Sequence, residues 1–302
     1  MEMPELTSRA LAWRESGRWV PIAGHDIFIH ERPGTLGSPP LLFLHGYPSS
    51  SYDWRHATDR LGEQRLIMFD FLGFGLSDKP PDQLYSLLTQ ADIVEAIMAH
   101  FGAERVTLIA HDMGGSVATE LLARDLEGRL PFELVSVLLF NASLVLERAS
   151  LLVGQKLLRS RLGPLAARLT SEFTFRRQFG AVFSANHPLS DQEAADQWSL
   201  LTYHNGQRLL DRLIFYLHER VTYAARWKGA LSDWPGRLEL AWARLDPICT
   251  EAVLRAVLEL RPGVSVTRLP DLGHYPQLED PTASIEVIER LASEAQPGTL
   301  PG

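Results

Sequence analysis

Three residues that could act as a nucleophile, an acid and a base follow apolar runs of this chain, in that order. Asp112 comes just after the run 106–110 (VTLIA), Asp246 follows 238–242 (LELAW), and His274 follows 264–269 (VSVTRL). Two carboxylates and an imidazole can form an ester with a substrate and then hydrolyse it. This order is typical of groups on loops at one edge of a mostly parallel sheet.

Asp112 occupies the nucleophile position of a sharp turn between a strand and a helix. The turn passes through Met113, Gly114 and Gly115 into a helical pattern at 116–123, the context of the G-x-S-x-G elbow. A serine at this position suggests acyl transfer, whereas an aspartate suggests attack on a saturated carbon. Because a carboxylate is already ionised near neutral pH, that attack needs no base.

Each of the three residues also has a structural interpretation. Asp112 and Asp246 could cap helices, since Asp is a favoured N-cap residue, and His274 follows a glycine and could belong to a turn. Their joint order and context favour catalysis. We interpret the other histidines that lack this context as surface or packing residues, among them His56, His100, His187 and His218.

The loop after the first buried run has the pattern H-G-x-P at 45–48. We expect the backbone amides of Tyr47 and Met113 to converge there on an oxyanion, and His45 to be structural. A second loop, 70–77 (DFLGFGLS), is punctuated by glycines. It lacks the G-x-x-x-x-G-K-[ST] pattern, so it predicts turns and not a phosphate site.

Short apolar runs alternate with helical patterns, which predicts an α/β fold with a mostly parallel sheet. An antiparallel hairpin is expected at 19–32. Helices are expected at 51–61, 87–101, 116–123, 253–260 and 284–291, and buried strands at 41–44, 65–69, 106–110, 134–140, 238–242 and 264–269.

Residues 144–235 interrupt this alternation with helical patterns, many aromatic residues and no convincing strand. We predict a helical cap there, between a first core part at 1–143 and a second at 236–302. Loops at the carboxyl ends of parallel strands carry function, so an insertion at that edge would cover the site. The alternative is a packing layer with no role at the site.

Composition narrows the partners of this 302-residue chain. Its net charge of −8 argues against nucleic acid, and a single cysteine, Cys249, fits a reducing compartment such as the cytoplasm. The start has no apolar signal segment and no run is long enough to span a membrane, so no membrane partner is expected. The Pro- and Gly-rich tail at 296–302 is expected to fray. No cofactor or metal is expected, and the oligomeric state is left open.

Three longer segments carry a family resemblance: 45–54 (HGYPSSSYDW), 69–80 (FDFLGFGLSDKP) and 274–281 (HYPQLEDP). They resemble α/β-hydrolases of the epoxide hydrolase and haloalkane dehalogenase group, and most closely its mesoderm-specific transcript branch with bacterial relatives. The resemblance covers about residues 19–293. It implies an α/β-hydrolase fold and an enzyme that forms an alkyl ester on Asp112.

The resemblance also implies how a leaving group would be held. Haloalkane dehalogenases hold the halide with a Trp after the nucleophile and often an Asn in the H-G-x-P loop, where this chain has Met113 and Tyr47. Fluoroacetate dehalogenases use arginines just after the nucleophile, where this chain has Met113 and Ser116. Dehalogenation is therefore disfavoured.

Epoxide hydrolases of this group donate hydrogen bonds from two cap tyrosines. Tyr216, in the segment 215–220 (FYLHER), is our candidate acid, although it could equally be a core tyrosine. The early cap, 144–170, has no tyrosine. Tyr203, His204 or Tyr223 could replace the missing donor.

The sequence thus favours an epoxide hydrolase that uses water to convert a small, hydrophobic, neutral epoxide to a diol. The alternatives are a haloalkane dehalogenase, an ester or lactone hydrolase, a cofactor-free oxygenase or luciferase-like enzyme, and a non-catalytic binding protein.

Overall fold

Eight strands form one sheet in the order β1-β2-β4-β3-β5-β6-β7-β8 in the computed structural model, which describes residues 5–35 and 38–294. Strands β1 and β2 pair antiparallel at one edge, and β3 to β8 are mutually parallel. The strands are β1 (Arg18–Ile22), β2 (His25–Arg32), β3 (Leu41–Leu44), β4 (Leu66–Phe69), β5 (Arg105–His111), β6 (Glu133–Phe140), β7 (Arg237–Ala243) and β8 (Ser265–Leu269). The predicted α/β fold and entry hairpin are confirmed.

The central strands are apolar along their length because helices cover both faces of the sheet. Every residue of β3 and β4 is buried, and β5 is buried after Arg105. The helices of the two core parts are α1 (Ser8–Ser16), α2 (Leu87–His100), α3 (Met113–Leu126), α11 (Glu251–Leu260), α12 (Pro276–Glu279) and α13 (Pro281–Glu294).

Two local expectations need correction. The helix expected at 51–61 is a shorter 3₁₀ helix, Ser51–Ala57. Helix α1 was not expected, because it buries only Ala10 and Trp13 and shows no repeating apolar stripe. Trp13 stacks on His30 with ring centroids 4.4 Å apart, which holds this helix against β2.

The described residues between β6 and β7 form helices and connecting loops, and no strand. We call residues 146–233 the helical insertion. Its helices are α4 (Val153–Leu158), α5 (Gly163–Leu169), α6 (Glu172–Gly180), α7 (Asp191–Thr202), α8 (Leu210–Leu213), α9 (Tyr216–Thr222) and α10 (Ala224–Asp233), with 3₁₀ helices at Leu146–Arg148 and Tyr203–Leu209.

Buried polar contacts fix the insertion to the core. Glu219 of α9 accepts hydrogen bonds from Ser86 Oγ at 2.5 Å and from the Leu87 amide at 2.7 Å, at the N-terminus of α2. Arg226 of α10 pairs with Glu120 of α3 at 2.8 Å.

No helix in the described part of the chain is both long and apolar enough to cross a membrane. The tail expected to fray, 296–302, lies outside the described residues.

Candidate active site

Asp112 stands at the turn between β5 and α3, where the sequence places a nucleophile. Its φ is +45°, a conformation that is strained for any residue except glycine. The turn also needs Gly114, because a Cβ there would lie 2.5 Å from the Leu44 carbonyl oxygen. Asp112 precedes α3 but its side chain makes no capping hydrogen bond. The capping interpretation of Asp112 is therefore wrong.

The Asp112 carboxylate is buried, with its two oxygens in different surroundings. The Tyr47 amide donates to Oδ2 at 3.1 Å, which puts this oxygen where the oxyanion loop was expected to act. Met113 begins α3, and the amide at a first helical position has no partner within the helix. Among the described residues, no backbone amide donates to Oδ1, which lies 3.4 Å from Arg220 Nη2.

Asp246 and His274 form a buried pair beside this carboxylate. His274 Nδ1 lies 2.7 Å from Asp246 Oδ2, which also accepts from Asn141 Nδ2 at 2.8 Å. The other oxygen accepts from the amides of Ile248 and Cys249, at 2.6 and 3.0 Å. Asp246 is thus held by four donors, and it orients the imidazole of His274. Its interpretation as a helix cap is wrong, since α11 begins after Thr250.

The electrostatics of the pair favour a charged state. Burial alone would lower the pKa of His274, but the charge of Asp246 and their hydrogen bond outweigh burial and raise this pKa above its ordinary 6.5. Burial likewise opposes ionisation of Asp246, yet the charge of His274 and hydrogen bonds from His274 and the amides of Ile248 and Cys249 hold the pKa of Asp246 below its usual range. His274 is therefore a stronger base than a free imidazole.

Two further histidines lie within this edge of the sheet. His45 Nδ1 lies 2.8 Å from the Gly46 carbonyl, and its Nε2 accepts from the Phe71 amide at 3.0 Å. Burial lowers the pKa of His45 to about 3, so this ring is neutral and braces the loop, as expected from the sequence.

His111 is a supporting residue that sequence reasoning missed. Its Nε2 lies 2.7 Å from the His274 carbonyl oxygen, and Gln277 Nε2 lies 3.2 Å from its Nδ1. Burial and the nearby His274 lower the pKa of His111 to about 4, so it carries no charge at neutral pH. Its position at the end of β5, one residue before Asp112, was the available signal.

Arg220 is the most informative residue that the sequence did not reveal. It reaches from α9 of the insertion and is only 4% exposed. Its Nη2 donates to the Asp112 carbonyl at 3.1 Å and lies 3.4 Å from Asp112 Oδ1, while its Nε donates to Ser116 Oγ at 2.8 Å. A buried cation from the insertion therefore touches both the backbone and the carboxylate of the candidate nucleophile.

Tyr216 lies one helical turn before Arg220, and its ring faces the guanidinium at 4.6 Å. It also packs on the Tyr47 ring, with centroids 5.6 Å apart. Burial raises the pKa of Tyr216 well above its ordinary value, so its hydroxyl stays protonated. Tyr216 contacts the cavity beside His274 through Tyr47 and is not itself one of its lining residues; Tyr203, His204 and Tyr223 are not lining residues either.

This cavity has a volume of about 290 Å³ and lies between the core and α4 to α6. His274, Tyr47 and Tyr275 form its core end. Its other walls are mainly apolar side chains of the insertion, including Phe175 and Phe179. The cavity suits a small molecule with a hydrophobic body.

Among the described residues, the candidate ligand atoms for a metal ion already have other partners. One candidate ligand atom each from Asp246, Cys249 and His274 lies within 4.8 Å of the others. However, the carboxylate is already occupied by four donors, and Cys249 Sγ donates to the Asn141 carbonyl at 2.9 Å. Burial also raises the pKa of the Cys249 thiol well above its ordinary value, so it does not offer a thiolate.

Comparison with known proteins agrees with this geometry. The family model described as alpha/beta hydrolase fold matches residues 39–281, and the chain belongs to that family. It is 54% identical to LipZ of Mycobacterium tuberculosis over 92% of this chain and 96% of that protein. It is 37% identical to the human mesoderm-specific transcript homolog protein, over 92% and 86% of the two chains. The predicted resemblance is confirmed.

Two relatives named for an activity are more distant. A soluble epoxide hydrolase of Corynebacterium sp. is 43% identical over 28% of this chain and 30% of its own. The structure of the haloalkane dehalogenase DbeA of Bradyrhizobium elkani superposes with a TM-score of 0.77 at 20% identity, over 93% of this chain and 98% of its own. The second likeness is one of fold.

Proposed function

We propose that this hydrolase opens a small hydrophobic epoxide through a covalent ester on Asp112. The observation that carries the proposal is the state of the Asp112 carboxylate. One oxygen accepts from the Tyr47 amide, and the other lies beside Arg220. The carboxylate is buried, and its charge acts on His274 of the Asp246–His274 pair.

In the first step, Asp112 Oδ1 attacks one ring carbon of the epoxide. The new bond is an ester bond, the carbon–oxygen bond of the strained ring breaks, and its electron pair goes to the ring oxygen. Tyr216 donates a proton to that oxygen. Burial keeps the Tyr216 hydroxyl protonated before the attack, so a proton is present to be given, and the phenolate that remains is a strong base that takes a proton back in the second step.

In the second step, neutral His274 takes a proton from water, and the hydroxide attacks the ester carbonyl of Asp112. The charge that develops on Oδ2 meets the amides of Tyr47 and Met113. The ester bond then breaks, and the diol oxygen takes the proton from His274. Asp112 is left as a carboxylic acid, and its proton passes to the phenolate of Tyr216, which restores both groups. Asp246 keeps the imidazole in the tautomer and orientation that this step needs.

Arg220 is the positioning residue of the proposal. It supplies a counter-charge for a carboxylate removed from water and fixes that carboxylate through Ser116 and the Asp112 carbonyl. Since Arg220 and Tyr216 share helix α9, one element of the insertion would both orient the nucleophile and protonate the leaving oxygen.

The hydrogen-bond and proton donors of the site favour an epoxide over a halide as the leaving group. A halide leaving group needs hydrogen-bond donors in a dry pocket, and the side chain of Met113 after the nucleophile offers none. The leaving oxygen of an epoxide stays attached to the product and needs one proton, which Tyr216 can give. The partial match to a soluble epoxide hydrolase supports the same choice.

The test is a panel of styrene oxide, aliphatic epoxides, bromoalkanes and simple esters, with diol, halide and acid measured separately. We expect diol from one or more epoxides and loss of that product in Asp112→Ala. Halide release without diol would establish dehalogenation instead. Ester cleavage that survives Asp112→Ala, or no product together with no covalent adduct, would contradict the proposal.

A further inference from the structure

The outer face of α4, α5 and α6 exposes an unusual number of large apolar side chains. Of twelve exposed large hydrophobic residues in the described chain, half lie within 21 consecutive positions. We call these six the rim residues: Val153, Leu157, Leu162, Leu165, Leu169 and Phe173, with exposed fractions from 44% to 82%. Exposed apolar patches of this kind mark interaction surfaces in soluble proteins.

The same face is basic, although the chain as a whole carries a net charge of −8. Residues 151–180 hold six basic side chains and one acidic one, Glu172. Within the described residues, Arg176 is the one of these six that forms ion pairs. The remaining cations are exposed and form no ion pair with any residue that the structure describes: Lys156, Arg159, Arg161, Arg168 and Arg177.

Basic and apolar side chains alternate at helical spacing on two of the helices. In α4 the order is Val153, Lys156, Leu157, and in α5 it is Leu165, Arg168, Leu169. Residues at positions i, i+3 and i+4 share one side of a helix, so each helix presents a cation between two apolar side chains. Apolar residues flanked by lysine and arginine are typical of helices that lie on anionic lipid surfaces.

The rim is continuous with the cavity that leads to His274. Leu157 and Leu169 line the cavity and are also 44% and 70% exposed. Because they are both lining and exposed, Leu157 and Leu169 stand at its mouth. An apolar molecule that leaves a lipid layer at this mouth would reach the core end of the cavity without crossing water.

We propose that the α4–α6 face docks on an anionic lipid surface, from which the cavity takes its apolar substrate. A second copy of the chain fits less well, because a two-fold contact would set one group of unpaired cations against an identical group. Docking of this kind is peripheral and needs no spanning helix. It differs from the expectation of no membrane partner, which rested on signal and spanning segments and did not consider peripheral binding.

The experiment uses the full chain with vesicles of phosphatidylcholine alone and of phosphatidylcholine mixed with phosphatidylglycerol. We expect co-sedimentation with the anionic vesicles, weakened by salt, and little with the neutral ones. Arg161→Glu with Arg168→Glu should weaken binding by about tenfold or more, since each reversal replaces attraction by repulsion. Leu162→Ser, Leu165→Ser and Phe173→Ser together should also reduce it, and none of the three lines the cavity.

Matched controls carry the same changes elsewhere. Leu126→Ser on α3 and Arg255→Glu on α11 alter exposed side chains of the core and should leave vesicle binding unchanged. Thermal unfolding verifies that every variant is folded. Absence of anionic vesicle binding, equal loss in the controls, or rim substitutions that abolish a dimer and not vesicle binding would overturn docking. Hydrolysis of a water-soluble epoxide is measured separately, so failure of docking is distinguishable from failure of the proposed function.

Discussion

The carboxyl edge of the sheet and the outer helices of the insertion differ in how their polar and charged groups are buried and paired. At the sheet edge the polar atoms are buried and held, as in Asp246 with its four donors. In α4 no residue is buried, and its cation Lys156 has no ion pair among the described residues. In the proposed function this difference would separate two tasks: the strand ends hold the reacting groups through hydrogen bonds, and the insertion controls which molecules reach them.

Helix α9 belongs to the insertion in sequence, but its polar side chains are buried and hydrogen-bonded like those at the sheet edge. Its Tyr216, Glu219 and Arg220 are all buried, and the last two bind core residues. The insertion therefore contains both kinds of surroundings: buried and hydrogen-bonded polar groups in α9, and exposed charged groups in the outer helices α4 to α6.

Removal of the nucleophile should have the largest effect. Asp112→Asn leaves the size of the side chain unchanged and removes the charge that attacks carbon, so turnover should fall by about 10⁴-fold or more. Steady-state diol formation measures it. Asp82→Asn, an exposed aspartate, is the control and should retain full activity. Substantial turnover by Asp112→Asn would show that water attacks the substrate directly.

Removal of the orienting acid should nearly match that effect. Asp246→Asn takes away the charge that raises the pKa of His274 and favours the wrong tautomer, so ester hydrolysis should slow by about 10⁴-fold. Single-turnover kinetics should show the ester accumulating. If Asp246→Asn slowed ester formation and left ester hydrolysis intact, this role of Asp246 would be contradicted.

The pH dependence of the second step follows from the same pair. His274 must be neutral to accept a proton, and its pKa is raised, so ester hydrolysis should fall as pH drops through a value above 6.5. Ester formation should not share that midpoint, because Asp112 acts there without a base. Rapid-quench measurement of each step against pH distinguishes them, and a common midpoint for both steps would refute the assignment.

Substitution of Arg220 tests the contribution of helix α9 to the site. Arg220→Gln removes the counter-charge and loosens the nucleophile, so kcat should fall by about 10²-fold with a smaller change in KM. The control is Arg226→Gln, which breaks an ion pair between the insertion and Glu120 of the core. It should lower Tm and leave kcat close to that of the native chain. Equal effects of both variants on kcat would reduce Arg220 to a structural role.

A cavity substitution in the outer helices should have the smallest effect. Ala166→Leu adds volume to the cavity wall on α5, so kcat/KM for bulky epoxides should fall by about tenfold and small epoxides should be little affected. A series of epoxides of increasing size measures this selectivity. Equal loss for all sizes would place the obstruction at the reacting groups.

Much of the sheet edge could be predicted from sequence because chain order and strand context determine where loops meet. Asp112, Asp246 and His274 each follow a strand of the parallel part of the sheet; His274 pairs with Asp246, and the charge of Asp112 acts on His274. The amide of Tyr47 was also placed correctly. These positions depend on local turns and on neighbouring strands, which leave signals in the sequence.

Arg220 was missed for a physical reason. Lysine and arginine on helices are usually solvated, and nothing near Arg220 in sequence indicates that α9 would turn it onto Asp112. The packing of an insertion depends on contacts far apart in sequence, such as Arg220 with Ser116. Helix α1 escaped prediction similarly, since its stability comes from Trp13 on His30 and not from a periodic stripe.

The most direct test of the covalent mechanism is intact-mass analysis of His274→Gln after incubation with styrene oxide or the best epoxide of the panel. The variant keeps Asp112 and Arg220 but lacks the base of the second step. We predict a mass increase of one substrate molecule, mapped to the peptide that contains Asp112 and absent in the double variant with Asp112→Ala. A variant that turns over normally, or that stays unmodified with an epoxide the native chain hydrolyses, would contradict the covalent mechanism.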